Sequence, residues 1–333
     1  MTFNTPLDRR LCIAPMMGCT DRHCRVLFRL LSPGAILYSE MVTTGALIHG
    51  DADHFLKHNA MDAPCALQLG GSNPDELAEC AKMVEAAGYQ EVNLNVGCPS
   101  DRVQAGGIGA CLMAVPDLVA ECVDKMQRSV DIPVTIKSRI GIDDDDSYEF
   151  FSRFVSRVAE AGCQVFIVHA RKAILDGLSP KENRQVPPLK HDYVFRIKQD
   201  MPDLTFILNG GIKHLDQICE PLEKTDGIMV GREAYHNPYF ICELTSQILN
   251  SHASQPDRLV ILEQYKEYLA GELSKGEPLQ HGAKHLLGLF HGLPGARKFR
   301  RYLSEHIYDP VAGIDTIAAA ASELSPTSFT LQV

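Results

Sequence analysis

The sequence predicts an α/β protein, a (β/α)8 TIM barrel followed by a small C-terminal helical domain, and three observations lead there. Over the first two thirds of the chain, eight short and nearly continuous apolar runs alternate with longer amphipathic stretches. No GxGxxG turn follows the first run, where a doubly wound dinucleotide-binding sheet would carry one. From about Asn237 the strand-like runs stop and only amphipathic stretches continue. Runs apolar on both faces suit parallel strands covered by helices, and eight strand-and-helix units close a barrel. The two domains are expected at 1–242 and 243–333.

In chain order the runs are 11–14, 35–38, 65–69, 91–96, 133–136, 165–168, 205–208 and 227–230. Helices are expected at 74–87, where Asn73 caps and Pro74 opens the first turn, and at 116–129 behind Pro116. Two more are expected at 147–161, closed by Gly162, and at 215–223. In the last third the amphipathic stretches are 258–273, 281–290, 296–306 and 314–324.

A chain of 333 residues, 45% hydrophobic and 22% charged, is long enough to bury one large core and a smaller one. No apolar run approaches the roughly 18 residues of a membrane span, and residues 1–10 carry no apolar signal region. A cytoplasmic monomer without a membrane partner is expected. The eleven cysteines include no CxxC pair, and Cys12, Cys65 and Cys163 read as small core residues. Cys12, Cys19 and Cys24 match no zinc spacing, so no metal is expected. The net charge of −10 disfavours nucleic acid as a partner of the whole surface, yet basic residues gather at 171–198 and 297–301.

In a TIM barrel the chemistry sits at the C-terminal ends of the strands. Those ends offer Pro15-Met16-Met17, Glu40, Gln68, Asn95 with Cys98, Lys137, His169, Asn209-Gly210-Gly211 and Gly231-Arg232. The glycines after the seventh and eighth runs, with Arg232, stand where such barrels bind phosphate through backbone N–H groups. A phosphate-bearing cofactor ringed by Gln68, Lys137, His169 and Asn209 suits flavin mononucleotide. Gly97 and Pro99 present Cys98 from a defined corner, and a protonated thiol there can donate a proton. Hydride to one carbon and a proton from Cys98 to its neighbour would reduce an activated C=C bond, with Asn95 holding the polar edge of the substrate.

The segments Asn95-Val96-Gly97-Cys98-Pro99-Ser100, Gly109-Ala110-Cys111-Leu112-Met113, Val134-Thr135-Ile136-Lys137-Ser138-Arg139-Ile140-Gly141, His169-Ala170-Arg171-Lys172, Asn209-Gly210-Gly211-Ile212 and Gly231-Arg232-Glu233-Ala234 closely resemble the tRNA-dihydrouridine synthases. Leu178 to Arg184, Pro294-Gly295-Ala296-Arg297 and Arg300-Arg301-Tyr302-Leu303-Ser304 look like the A subfamily, and the likeness runs nearly the whole chain. The resemblance implies an FMN-containing barrel with a helical tRNA-binding domain. Such an enzyme uses NADPH to reduce uridine at position 20 and its neighbour 20a in the D-loop of tRNA. Carried over by motif, Pro15, Met16, Met17, Gln68, Lys137, His169, Asn209, Gly210, Gly211, Gly231 and Arg232 hold FMN. Cys98 protonates C5 of uracil and Asn95 holds the flipped base, while Asn183, Arg184, Arg297 and Arg300 contact tRNA. The chain departs from the family pattern at Gly18-Cys19 and in the glycine-rich loop 106–109.

Three rivals come from other classes: an FMN barrel reducing a free pyrimidine or small enone, a non-catalytic tRNA-binding protein, and an aldolase-like barrel with Lys137 as its Schiff-base lysine. The basic helical region argues against the first, and Cys98 with the flavin shell against the second. A bound yellow chromophore would dispose of the third.

Overall fold

The computed structural model describes residues 7–249 and 255–324, so the outer ends of both expected domains, 1–6 and 325–333, and the stretch 250–254 lie outside the described residues. Eight parallel strands close a barrel in sequence order: β1 (Leu11–Ile13), β2 (Ile36–Thr43), β3 (Cys65–Gly70), β4 (Glu91–Val96), β5 (Val134–Arg139), β6 (Val165–His169), β7 (Thr205–Asn209) and β8 (Gly227–Val230). β8 returns to β1 with Cys12 opposite Met229. The (β/α)8 fold is therefore present, and the apolar runs mark its strands to within a few residues.

β2 differs most. It continues to Thr43 through an irregularity between Tyr38 and Met41, so Glu40 lies inside a strand and not at its end. The barrel interior divides into two halves. One is apolar, with Ile36, Tyr38, Ile167, Ile207 and Met229 in a single buried cluster on which Leu7 packs. The other is polar: Glu91, Asn93 and Asn95 alternate along β4, beside Gln68 of β3 and Thr135 of β5, all of them buried. A period of two places those three side chains of β4 on one face. At the N-terminal end of the strands Arg9 Nη1 meets the buried Glu91 Oε2 at 2.5 Å.

The helices follow their start and stop chemistry. Asn73 Oδ1 accepts from Asp75 N and Glu76 N at the head of the helix Pro74–Ala86. Tyr148–Glu160 stops at Gly162, whose φ of +101° a side chain would strain. Two expected helices are broken. The stretch 215–223 is a 3-10 turn Leu215–Gln217 followed by the helix Cys219–Lys224, which carries Pro221 in its first turn. The stretch 281–290 is a short helix Leu279–Ala283 running into a 3-10 segment Lys284–Gly288. Helices at Arg22–Leu31, His191–Asp200 and Phe240–Ile248 add to those the periodicity indicated.

By compactness the chain forms two units. Residues 1–17 and 35–231 make the barrel unit, and residues 18–34 with 232–333 make the helical unit. The 18–34 excursion belongs to the second unit through ion pairs to residues more than two hundred positions on. Asp21 caps the helix Arg22–Leu31 through Oδ1, accepting from His23 N and Cys24 N at 3.0 Å. The same carboxylate receives Lys284 Nζ at 2.9 Å and the buried His285 Nε2 at 2.9 Å. Those partners hold it well below the usual carboxylate range against the cost of burial. Arg22 bridges Glu272 and Glu277, the latter at 2.7 Å. Among the described residues no helix is long and apolar enough to cross a membrane.

The start of β8 leaves no room for a side chain at Gly227, since a Cβ there would stand 2.1 Å from the Arg9 carbonyl oxygen. Gly227→Ala is expected to cost about 2–3 kcal/mol, because backbone must move to relieve the clash. Denaturant unfolding of both proteins checks this, and an unchanged midpoint would refute it.

Candidate active site

After Val96 the chain turns through Gly97, Cys98 and Pro99, and the turn is held mainly by side chains. Asn95 Oδ1 accepts from Gly97 N at 3.1 Å and from Cys98 N at 2.9 Å. Arg139 Nε donates to the Gly97 carbonyl at 3.0 Å. From beyond the loop, Ala110 N donates to the Cys98 carbonyl at 2.9 Å. Gly109, at φ +82°, makes that approach possible, because a Cβ there would lie 2.5 Å from Cys98 O. The Cys98 thiol is half-buried on a backbone fixed from three sides.

Lys137 lies on β5 opposite Asn95. Its Nζ donates to Asn209 Oδ1 at 3.1 Å, and Asn209 Nδ2 donates to the Met229 carbonyl at 2.7 Å, which fixes which end of that amide faces the lysine. Burial pushes the Lys137 ammonium down to about 7; the Arg139 guanidinium adds to this and the Cys98 sulfur opposes it. Arg139, two residues on and therefore on the same face of β5, donates through Nη1 to the carbonyls of Lys172 and Asn183, at 3.0 Å each. Burial brings it down to about 10, the Cys98 sulfur opposes that, and Arg184 and Arg171 reinforce it. Positive groups thus collect at one end of a barrel in a chain that is acidic overall.

The other expected cofactor ligands lie in the last residues of the strands or just beyond them. Gln68 is buried in β3. Its Nε2 donates to Asn93 Oδ1 at 2.8 Å and its Oε1 accepts from Asn95 Nδ2 at 2.7 Å, leaving one donor and one acceptor to meet a ligand. His169 ends β6, half-buried. Pro15 and Met16 follow β1 half-buried, with Met17 exposed. Gly231 follows β8, and the exposed Arg232 opens the short helix Arg232–His236, in which Ala234 is buried.

Gly210 and Gly211 provide the test of whether a flavin phosphate fits. At φ +115° and +85° they form a corner where an added Cβ would come within 2.8 Å of His169 and 2.5 Å of Leu189. Their N–H groups donate to no group among the described residues. Bare backbone donors, a cation and amide edges at one mouth are the donor set that a phosphorylated, anionic ring system calls for, so the residues fit.

The four expected tRNA contacts stand in different settings. Asn183 is fully buried: Oδ1 accepts from Ile174 N at 2.7 Å, and Nδ2 donates to the carbonyls of Ile174 and Leu178. Its amide braces the 174–183 loop, and the neighbouring Arg184 is half-buried. In the helical unit, Phe299 and Leu303 anchor the helix Ala296–His306 while Arg297, Lys298, Arg300 and Arg301 are exposed. Phe299 packs edge-on against Phe290 at 4.9 Å. His23, Glu272 and Glu277 bring potential ligand atoms within 4.8 Å of one another, but Arg22 lies between the carboxylates and serves them as an ion pair.

The family model for Dihydrouridine synthase (Dus) matches residues 12–323. The chain is 53% identical over 316 residues to the tRNA-dihydrouridine(20/20a) synthase of Vibrio cholerae, covering 95% of this chain and 96% of that one. It is 55% identical over 311 residues to the enzyme of the same name from Pseudomonas putida, covering 92% and 93%. Among solved structures, a 2-naphthoyl-CoA reductase in complex with 2-naphthoyl-CoA superposes with a TM-score of 0.54 at 13% identity over 72% of this chain. The match spans 50% of that reductase, and at such identity the likeness is one of fold alone. Barrel, mouth and kinship agree: the chain belongs to the dihydrouridine synthase family of NAD(P)H-dependent flavin oxidoreductases.

Proposed function

We propose that this chain reduces uridine to 5,6-dihydrouridine at positions 20 and 20a of the tRNA D-loop, in the cytoplasm, with FMN as its flavin and NADPH as reductant. The observation that carries this reading is the Cys98 corner, braced by Asn95 opposite Lys137, at the mouth that also holds the Gly210-Gly211 corner. Gln68, Lys137, His169, Asn209, Gly210, Gly211 and Gly231 would hold FMN, with Pro15 to Met17 lining its edge and Arg232 completing the phosphate site. FMN, when bound, supplies hydride for C6 of the base.

The chain's own residues supply the rest. Cys98 delivers the proton to C5, and its thiolate recovers a proton from solvent, so that uridine, NADPH and one proton become dihydrouridine and NADP⁺. Asn95 holds the Cys98 backbone and has one amide hydrogen left for the base edge. Lys137 places a cation where negative charge grows. A uridine inside folded tRNA reaches such a mouth only when it is flipped out, and exposed arginines on the helix Ala296–His306 suit phosphate contacts that carry no sequence information. Asn183 supports those contacts by shaping the loop that carries Arg184.

The purified protein with NADPH is expected to form dihydrouridine in unmodified tRNA and none from free uridine or uracil; product from the free base would favour a small-molecule reductase. Cys98→Ala should retain flavin and lose turnover by about 10²-fold or more. Flavin loss in that variant, read from its visible spectrum, would count against the assigned role. Arg297→Ala should weaken tRNA binding and lower its salt slope by about 1, with flavin reduction by NADPH unchanged.

Lys137 carries a pH signature. Its folded pKa of about 7 lies below the ordinary 10.5, so between these values the unfolded chain holds the extra proton and stability rises with pH. Below 7 the full cost is present. Lys137→Met, in flavin-stripped protein, is therefore expected to be about 1–3 kcal/mol more stable at neutral pH, to lose this rise toward pH 9, and to be a poor reductase once reloaded. Parallel pH dependence of unfolding in the two proteins would exclude this.

A further inference from the structure

We infer that Thr135 and Glu91 are positioning residues for Cys98, acting through a one-way hydrogen-bond relay along the polar half of the barrel interior. Glu91, paired with Arg9, accepts through Oε1 from Thr135 Oγ1 at 2.6 Å. Having given its only hydrogen, Thr135 Oγ1 must accept from its other neighbour, and Asn93 Nδ2 donates to it at 2.8 Å. That turns Asn93 Oδ1 toward Gln68 Nε2 at 2.8 Å, and Gln68 Oε1 toward Asn95 Nδ2 at 2.7 Å. Asn95 Oδ1 is left to take the N–H groups of Gly97 and Cys98.

Both ends impose the same direction. A carboxylate only accepts, and a backbone N–H only donates, so three amides that could each flip have a single consistent orientation. The strand register makes the relay possible, with Gln68 opposite Asn93 and Asn93 opposite Thr135. Amides do not conduct protons along such a chain; they orient. The relay selects which face Gln68 turns to a ligand and which atom of Asn95 braces the thiol corner. Neither Glu91 nor Thr135 touches the mouth, so each acts through others.

Thr135→Val keeps the shape and removes the hydroxyl, leaving Asn93 without its acceptor and its orientation undecided. The hold on Cys98 is the structural half of the inference, whereas its effect on turnover rests on the proposed function, and two readouts keep these apart. The first is the rate at which iodoacetamide alkylates Cys98 in the intact flavoprotein, followed by peptide mass spectrometry. The second is kcat and KM on tRNA. Thr135→Val is expected to raise Cys98 alkylation about tenfold and lower kcat about tenfold at unchanged KM, since a loosened group loses its productive geometry.

Thr135→Ser, which restores the hydroxyl, should return both to within about twofold of the parent. Tyr38→Phe is the control, because Tyr38 OH donates to the same Glu91 Oε1 at 2.8 Å but stands outside the relay. It should lower thermal stability and leave Cys98 alkylation unchanged. Equal alkylation in the parent and Thr135→Val, or an equal rise in Tyr38→Phe, overturns the inference. If the valine variant does not fold, Thr135→Ala removes the same hydroxyl without bulk and decides by the same readout. An alkylation response in a parent protein inactive on tRNA would uphold the relay and count against the proposed function.

Discussion

A carboxylate sealed inside a barrel is the constraint from which the interior of this molecule follows. Glu91 has no exposure, and removing such a charge from water costs several kcal/mol unless close partners replace the solvent. Arg9 supplies the opposite charge, and Tyr38 and Thr135 the hydrogens. Once those partners are in place, the neighbouring layers cannot be aliphatic, because each polar group needs another to satisfy it. The polar half over β3, β4 and β5 is the result. Its far end is the corner that presents Cys98, while the apolar half around Ile36, Ile167 and Met229 supplies the packing that a barrel core needs.

The mouth is arranged against its own stability. Lys137 and Arg139 share one face of β5, both are desolvated, and both are pushed away from their charged forms. Asn209 gives Lys137 a neutral oxygen where a carboxylate would have neutralised it. A site that withholds counter-ions from its cations has high affinity for an anion delivered from outside, and a phosphorylated flavin is such an anion. The glycine corner at Gly210 and Gly211 adds donors without charge.

Much of the barrel was legible because a parallel strand buried on both faces leaves a short, nearly continuous apolar run, which its length and flanking turn residues separate from a buried helix. Residues 91–96 are the best example, with strand bounds identical to the apolar run. The same run hid its own content. Glu91, Asn93 and Asn95 alternate with Val92, Leu94 and Val96, and that period of two was the available signal for a polar interior. Arg139 was equally visible as the second residue after Lys137, yet a charged side chain near a strand end reads as solvated until its carbonyl partners are known. Asn183 could be recognised by type, but the use of its amide on Ile174 and Leu178 depends on a loop shape that spacing does not encode. The grouping of residues 18–34 with the helical unit has no local signature at all, since its ion pairs reach more than two hundred residues along the chain.

That last feature bears on how the chain comes to be made. The helix Arg22–Leu31 precedes all but one strand of the barrel in the chain, and it buries Val26, Leu27, Phe28 and Leu31. Its partners, the helix Arg258–Ser274 and the segment carrying Lys284 and His285, are synthesised more than two hundred residues later. Until those residues are made the helix waits with its apolar face uncovered, which exposes the nascent chain to misassociation and makes it a client for chaperones. The same topology means that a cut after β8 does not release a self-sufficient barrel. It strands between β1 and β2 a helix whose core has been thrown away.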